Sequence, residues 1–342
     1  MKKSWIFIVL GALILLILLP IMGIGNYYLH LVTTTFIWVI LIQGLNVIIG
    51  LTGYASVAQA AFYGIGAYSC GLLTVNLGFN PWLAMLCAIL ITTAAGVIIG
   101  LPALKTKGSY FVIMTLAFGT VFWILITSLY KLTGGETGFR NIPSLTPIFG
   151  IDFSNRTTYY YFVLIFAALA TLFIYRLKKS KHGRAFMTIR ANEMLAQSVG
   201  IPLVKYKLLS FVISATLAGI AGSLYAYYSN FISPFSFNAN TSLNLLLALI
   251  LGGVGTVSGP VIGAFLMIFI PEYLRVADEL RLVLYGVFLI LIIIFMPKGL
   301  VNIFVVAKEK ILKSIKKTKQ HEQSTVESPV PIEEESNNLK IT

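Results

Sequence analysis

The basic residues of this chain are concentrated in one polar segment between two apolar stretches, residues 176–207. This basic segment sets a single acid, Glu193, against eight cationic side chains: Arg176, Lys178, Lys179, Lys181, Arg184, Arg190, Lys205 and Lys207. Residues 185–199 lack Pro and Gly and are rich in helix formers, and Gly200 and Pro202 follow them as at a helix end. The pattern predicts a short helix tethered on both sides, which suits transmission of force from a partner protein. A solvated basic loop that only fixes orientation is the alternative, and charge alone favours it.

Arg190 and Glu193 lie three residues apart in this predicted helix. At that spacing the two side chains share one helix surface, so we expect them to pair. An exposed pair contributes only about 0–1 kcal/mol to folding, so we expect the pair to matter in contact with a partner instead.

Polar residues also occur within an apolar stretch, residues 28–49. Gln43, Asn46 and Gly50 follow an i, i+3, i+7 spacing, which places polar and small residues on one helix face. Gly50 and its neighbour Gly53 are expected to break the helix there.

The helix is expected to restart at Ala55, and a second glycine-rich break, GGVGTVSGP at residues 252–260, lies in the other half of the chain. Interrupted helices persist in membranes only where they are buried or line a cavity. Paired interruptions indicate a translocation site. A tight turn between two spans is the alternative for the first break.

The composition is that of a membrane protein. Of 342 residues, 58% are hydrophobic and 11% charged, whereas a soluble domain carries about 25% charge. The net charge of +13 arises from loops and the tail, where membrane orientation and anionic lipid explain it, so no nucleic acid partner is predicted. Cys70 and Cys87 lie in apolar stretches and indicate neither a disulfide nor a metal site.

The hydropathy pattern predicts an all-α polytopic fold with about ten membrane segments, some discontinuous. Basic loops are retained inside, so the basic segment and both termini are expected to be cytoplasmic, with loops 130–158 and 230–241 outside. Residues 1–300 then form the membrane domain, and residues 301–342 a cytoplasmic basic amphipathic helix, 304–317, with a disordered tail. Apart from the helix that restarts at Ala55, the predicted segments are 5–22, 28–49, 82–104, 110–129, 159–175, 208–227, 242–253, 261–269 and 282–296.

Several motifs of energy-converting and hydrolytic proteins do not occur. The chain has no G-x-x-x-x-G-K-[ST], so it has no phosphate-binding loop of its own, and it has neither H-E-x-x-H nor G-x-S-x-G. No charged residue lies at the centre of a predicted span, where ion-coupled carriers keep titratable groups. If the chain transports a solute, the energy therefore comes from elsewhere, or transport is passive.

Six fragments together resemble permeases of ATP-binding-cassette (ABC) importers of the branched-chain amino acid (LivM-like) type. They occur in the family's order and cover most of the chain up to residue 301. The family usually has Gln at Tyr54 and His at Gln59, and often an acid at Thr120, so the substrate stays open. It also often has an acid at Ala191, a departure that bears on coupling, where enough of the motif is kept. The fragments are LNVIIGLTGYASVAQAAFYGIGAY, GSYFVIMTLAFGTV, LTGGETGFRNIP, GRAFMTIRANEMLAQSVGI, GGVGTVSGPVIGA and MPKGL.

The resemblance implies a non-enzymatic permease subunit of the cytoplasmic membrane that binds no cofactor itself. ATP would be bound by two separate ABC ATPase subunits. A second permease subunit, an extracytoplasmic substrate-binding protein and membrane lipid would be the other partners.

The resemblance also assigns roles to residues. ATPase coupling falls to Gly183, Arg184, Arg190, Asn192, Glu193 and Gly200. The resemblance implies that Gln43, Asn46, Thr52, Tyr54, Ser56 and Gln59 line the translocation pathway. The alternative for the amide side chains in this set is that each joins two helices. The helix breaks fall at Gly50, Gly53, Gly252, Gly253 and Gly255.

Other functions stay open at this point. An ABC permease for a sugar, a nucleoside or urea and related amides has the same architecture, and a fold does not fix the substrate. An ion-coupled secondary carrier and an intramembrane enzyme are disfavoured by the uncharged span centres and the missing motifs.

Overall fold

The computed structural model describes residues 11, 15–23, 25–106, 108–147, 150–274, 286, 287, 290, 294, 299 and 300. The chain divides into two units, Met1–Val301 and Asn302–Thr342, and the described residues belong to the first. The predictions for residues 301–342 lie outside the described residues, as do half of the predicted first span and most of the predicted last span.

The described chain is built from helices, which confirms the all-α fold. An isolated antiparallel bridge pairs Phe139 with Ile232, and no described residue belongs to a longer strand. The helices are α1 Asn26–Leu45, α2 Gln59–Val75, α3 Pro81–Ala103, α4 Ser109–Ser128, α5 Tyr130–Thr133, α6 Arg156–Lys179, α7 Lys181–Ala191, α8 Glu193–Ser198, α9 Leu203–Ser229, α10 Ala239–Gly252 and α11 Gly259–Tyr273. A π-helical turn, Asn46–Leu51, extends α1, and short 3-10 turns form Gly135–Thr137 and Pro234–Phe237.

Five of these helices are long and apolar enough to cross a bilayer, which takes about 20 residues. They are α1 with its π-helical turn, α3, α4, α6 and α9, while α10 and α11 are shorter apolar helices. Each lies within a few residues of its predicted segment. The polytopic membrane architecture is confirmed, and the total of ten segments stays a prediction.

Helix α9 lies at the centre and packs against α1, α2 and α3. Small residues bring the backbones together. A Cβ on Gly222 would lie 2.1 Å from the Tyr63 carbonyl oxygen, and one on Gly66 would lie 2.6 Å from that of Gly219. Ser210, Ser214, Ala218 and Gly222 follow a four-residue spacing along α9 and are buried, so this row of small residues serves helix packing.

Two loops meet at one end of the helices. Phe139 and Ile232 exchange backbone hydrogen bonds of 2.8 and 3.0 Å, and the Asn230 side-chain amide donates to the Ile142 carbonyl at 2.8 Å. Loops 130–158 and 230–241 were predicted to share one side, and these contacts join them. The basic segment lies at the other end.

The helix predicted at residues 185–199 is two helices, α7 and α8. Asn192 separates them because its backbone is extended, at φ −163° and ψ 118°. Its side chain accepts a hydrogen bond of 3.1 Å from the Leu195 amide and caps α8. Gly200, at φ +81°, ends α8 as predicted, with the Ile201 amide bonded to the Ala196 carbonyl at 3.0 Å.

The helix after the first break restarts at Gln59, and the prediction of Ala55 is wrong. The backbone on either side of the restart finds partners on other helices: the Val57 amide donates to Thr115 Oγ1 at 3.2 Å, and the Ala60 amide, in the first turn of α2, donates to Ser242 Oγ at 3.0 Å. Tertiary hydrogen bonds therefore replace the helical ones at this position.

Candidate functional site

The two helix breaks adjoin each other and form one structure, called here the break junction (residues 46–58 and 252–260). The Asn46 amide donates to the Thr256 carbonyl at 2.7 Å and accepts from the Gly255 amide at 2.8 Å. The Gln43 amide donates to the Val257 carbonyl at 2.9 Å. Two side chains of α1 and its π-helical turn thus satisfy backbone groups that the irregular second break leaves unpaired.

Glycines permit this close approach. A Cβ on Gly50 would lie 2.0 Å from Asn46 Oδ1 and 2.7 Å from the Gly255 nitrogen, and one on Gly255 would lie 2.9 Å from the Gly50 oxygen. Gly252 and Gly253 shape the turn of the second break itself: a Cβ on Gly252 would lie 1.9 Å from the Gly259 oxygen, and Gly253 has a φ of +123°. Side chains at these positions would force the breaks apart or distort the turn.

Two cations of the basic segment contact the break junction. Arg190 Nη1, from α7, donates to the Gly50 carbonyl, and Lys178 Nζ, from the last turn of α6, donates to the Gly255 carbonyl at 2.6 Å. Gly50 lies in the last helical turn of its segment, where carbonyls lack intrahelical donors and a cation is favoured. Each break therefore has one cation bonded to its backbone.

A second contact joins the first break to α8 and α9. Tyr54 donates to Glu193 Oε1 at 2.5 Å, Lys207 Nζ lies 2.8 Å from Glu193 Oε2, and Lys207 also donates to the Tyr54 hydroxyl. The Lys207 side chain is 6% exposed and that of Glu193 33%. Burial raises the pKa of Tyr54, and the hydrogen bond to Glu193 and its negative charge raise it further, so the phenol stays neutral.

The predicted pair between Arg190 and Glu193 is wrong. Because Asn192 is extended, the two residues lie on separate helices, and they bond to Gly50 and to Lys207 with Tyr54, respectively. Sequence reasoning also missed Lys178 and Lys207 as contacts of the junction. The one feature of the sequence that could have predicted these contacts is the position of the two lysines. Each lies within about a turn of a span end, where a long basic side chain can reach polar groups.

The other predicted coupling residues shape the segment or face outward. A Cβ on Gly183 would lie 2.2 Å from the Leu177 oxygen, so this glycine lets α7 pack closely on the end of α6. Arg184 is exposed and donates to the Lys179 carbonyl at 3.1 Å. Asn192 caps α8 and Gly200 ends it, so only Arg190 and Glu193 of the six touch the break junction.

The predicted pathway residues are all buried in this chain. Thr52 donates to the Val47 carbonyl at 3.1 Å, and Ser56 accepts from the Ala58 amide at 3.4 Å. Gln59 donates to the Leu41 carbonyl and accepts from Ser214, both at 2.9 Å. The amides of Gln43, Asn46 and Gln59 therefore join separate elements, which was the alternative, and the pathway role stays a prediction.

Two cavities lie at the end opposite the basic segment. One, of about 500 Å³, is lined by Asn76 and by loop residues that include Lys131 and Arg140. The other, of about 260 Å³, includes His30 and Arg156 in its lining. Nowhere in the described part of the chain do three or more His, Cys, Asp or Glu side chains come together to hold a metal ion.

Residues 27–295 match the family described as branched-chain amino acid transport system, permease component. The chain belongs to this family. The match includes the break junction and the whole basic segment. The description makes the chain the permease component of a transport system, and the five long apolar helices make it a multi-pass membrane protein.

Individual permeases of the family are similar over most of their length. The high-affinity branched-chain amino acid transport permease LivM of Salmonella typhimurium is 34% identical over 291 residues, covering 78% of this chain and 68% of LivM. LivM of Escherichia coli K12 is 33% identical over 321 residues, which cover 87% of this chain and 75% of that LivM. The permease LivH of Salmonella typhimurium is 26% identical over 280 residues, which cover 76% of this chain and 89% of LivH. No solved structure matches the chain.

Proposed function

We propose that this chain is the membrane-spanning permease subunit of an ABC importer that carries branched-chain amino acids across the cytoplasmic membrane. The substrate is supported by the names of the LivM relatives. The mechanism is supported by one observation above the others: the basic segment, where the coupling residues were predicted, is hydrogen-bonded to both helix breaks.

In this proposal the chain has no ATPase site and binds no cofactor. Two partner ATPases bind ATP and contact the basic segment from the cytoplasm. Closure of the ATPases displaces α7 and α8, and the contacts through Arg190, Lys178 and Glu193 pass that displacement to the breaks. A helix that is already interrupted changes shape there at low cost, because few intrahelical hydrogen bonds must break.

A second permease subunit and an extracytoplasmic substrate-binding protein complete the proposed assembly. The binding protein would dock at the end that carries loops 130–158 and 230–241. Both termini of this chain would be cytoplasmic, because the basic segment is expected inside.

Reconstitution in liposomes tests the proposal. We expect uptake of radiolabelled leucine only when this chain, its sister permease, the ATPases, the binding protein and ATP are all present. Omission of the ATPases, or an ATPase variant that cannot hydrolyse, is the control. Uptake by this chain alone, driven by a sodium or proton gradient, would instead establish a secondary carrier.

Competition in the same assay tests the substrate. Excess unlabelled leucine, isoleucine and valine should each suppress uptake, whereas ribose, adenosine and urea should not. The second candidate is a permease for a sugar, a nucleoside or an amide, and it rests on the departures at Tyr54 and Gln59 from the family's usual residues, which leave the substrate open. That candidate requires that ribose, adenosine or urea suppress uptake and that leucine, isoleucine and valine do not.

A further inference from the structure

We propose that Lys178 and Arg190 form a two-cation clamp that holds the two helix breaks together, which makes Lys178 a positioning residue for energy coupling. The inference deepens the proposed function and rests on it. It assigns a role to Lys178, which the sequence motifs of the basic segment do not include.

The clamp is a single contact region. Lys178 Nζ lies 2.6 Å from the Gly255 oxygen, and Arg190 Nη1 bonds to the Gly50 oxygen. A Cβ on Gly255 would lie 2.7 Å from Arg190 Nη1 and 2.9 Å from the Gly50 oxygen. The two cations, the two carbonyls and the two breaks are therefore immediate neighbours.

The two cations are held by carbonyl groups. Among the residues that the structure describes, neither Lys178 nor Arg190 forms an ion pair with a carboxylate. The two like charges lie within electrostatic reach of each other, so they repel. Their bonds to the breaks offset that repulsion, and loss of either carbonyl leaves the arrangement unfavourable. Such a clamp favours the arrangement in which the two breaks are held together, and the bonds of Lys178 and Arg190 to the breaks are lost together.

One structural piece carries both cations. Lys178 lies in the last turn of α6, and Arg190 lies on α7, which begins two residues after α6 ends. Gly183 lets α7 pack against the Leu177 carbonyl at the end of α6. A displacement of α7 by a partner therefore acts on both breaks at once, through Arg190 on the first and Lys178 on the second.

The competing explanation is that Lys178 only marks the cytoplasmic end of a span. Lys179 then serves the same purpose, and it provides a matched control. Its side chain is exposed, and its ammonium bonds to the Tyr175 hydroxyl of its own helix. Lys178→Met and Lys179→Met remove the same charge from adjacent positions, and only the first removes the contact with Gly255.

The first experiment measures ATP hydrolysis and leucine uptake in the complete reconstituted transporter. Lys178→Met should raise the number of ATP molecules hydrolysed for each leucine imported by about fivefold or more, the low end of typical coupling between sites. Lys179→Met should leave this ratio unchanged, and Lys178→Arg should restore it. An unchanged ratio in Lys178→Met, an equal effect of Lys179→Met, or a failure of Lys178→Arg to restore it would each overturn the clamp.

A second experiment does not depend on transport. Hydrogen exchange of the purified chain in detergent should become faster in residues 46–58 and 252–260 together in Lys178→Met, while Lys179→Met should match the wild type. Wild-type exchange at both breaks in Lys178→Met would contradict the clamp even in a transporter that moves another solute. If exchange responds as expected and ATP-driven leucine uptake is absent, the proposed function fails and the clamp stands.

Discussion

Lys207 is the most deeply buried cation in the contacts around the break junction, and its partners decide what mutations there do. Lys207 as a whole residue is 4% exposed, and its ammonium bonds to Glu193 and Tyr54. A charge removed from water is stabilised chiefly by an opposite charge, so loss of Glu193 leaves a buried ammonium without a counter-ion, bonded to the neutral Tyr54 hydroxyl. Loss of Lys207 leaves a carboxylate that still accepts a hydrogen bond from Tyr54 and that water still reaches.

This asymmetry gives a prediction for Glu193→Ala and Lys207→Met. We expect Glu193→Ala to lower the free energy of unfolding by about 2 kcal/mol, since a buried charged group loses its hydrogen-bonded partner. Lys207→Met should lower the free energy of unfolding by less than Glu193→Ala does. The double variant, which carries both substitutions, should be more stable than Glu193→Ala alone. Thermal and denaturant unfolding in detergent measure these differences.

Lys205→Met is the control for this series, because Lys205 is exposed two residues away and should have little effect. If Glu193→Ala is as stable as the wild type, the pair with Lys207 contributes nothing to folding. If the double variant is no better than Glu193→Ala, the unpaired ammonium is not the cause of the loss.

The contacts of Arg190 and Glu193 show where residue-level prediction stops. A three-residue spacing makes two side chains neighbours only on a continuous helix. The signal that the helix is not continuous was present: Asn192 followed by Glu193 is the pattern of a helix start, with a capping residue and an acid in the first turn. The partner of Glu193 was not readable, because Lys207 reaches it only after the chain turns at Gly200.

At the scale of elements, the first break depends on two glycines for different reasons. Gly50 permits a close approach, since a Cβ there would lie 2.7 Å from the Gly255 nitrogen. Gly53 has a φ of +84°, which other residues adopt at a cost of about 1–2 kcal/mol, and a Cβ there would lie 3.0 Å from Arg190 Cγ. The first substitution would separate the breaks, and the second would displace α7.

We therefore expect Gly50→Ala and Gly53→Val to impair transport while insertion and assembly with the ATPases stay largely intact. Leucine uptake, the amount of chain in the membrane and co-purification with the ATPases are the measurements. Gly119→Ala is the control, because its nearest contact would be an ordinary 3.7 Å from the Val57 oxygen. Wild-type uptake in both variants would mean that the first break is a simple turn.

The positions of the five long apolar helices were predictable, whereas the arrangement of the breaks was not. Apolar runs of about 20 residues mark spanning helices directly. That Asn46 would bond to Gly255 and Thr256, more than 200 residues away, depends on how α1 and α11 pack. The restart at Gln59 likewise depends on Thr115 and Ser242, hydroxyls from two other helices.

For the whole molecule, the contacts divide the connecting segments between two ends. Loop 130–142 meets residues 230–232 at one end, and the break junction meets the basic segment at the other. Loop 130–158 carries three cations against two acids, whereas the basic segment carries eight cations against one acid. The family match supports a multi-pass permease and leaves orientation to be measured.

The charge difference predicts which end is cytoplasmic, because Lys and Arg near span ends are retained inside. Single cysteines at three exposed positions test this in sealed cells, in a background where Cys70 and Cys87 are replaced by Ala. A membrane-impermeant maleimide should label Thr137→Cys and Phe235→Cys directly, and Lys181→Cys only after permeabilisation. Positions 137 and 235 must behave alike, since the bridge between Phe139 and Ile232 fixes their loops to each other. Equal labelling of positions 137 and 181 in sealed cells would contradict the orientation, and different labelling of positions 137 and 235 would contradict the arrangement of the helices.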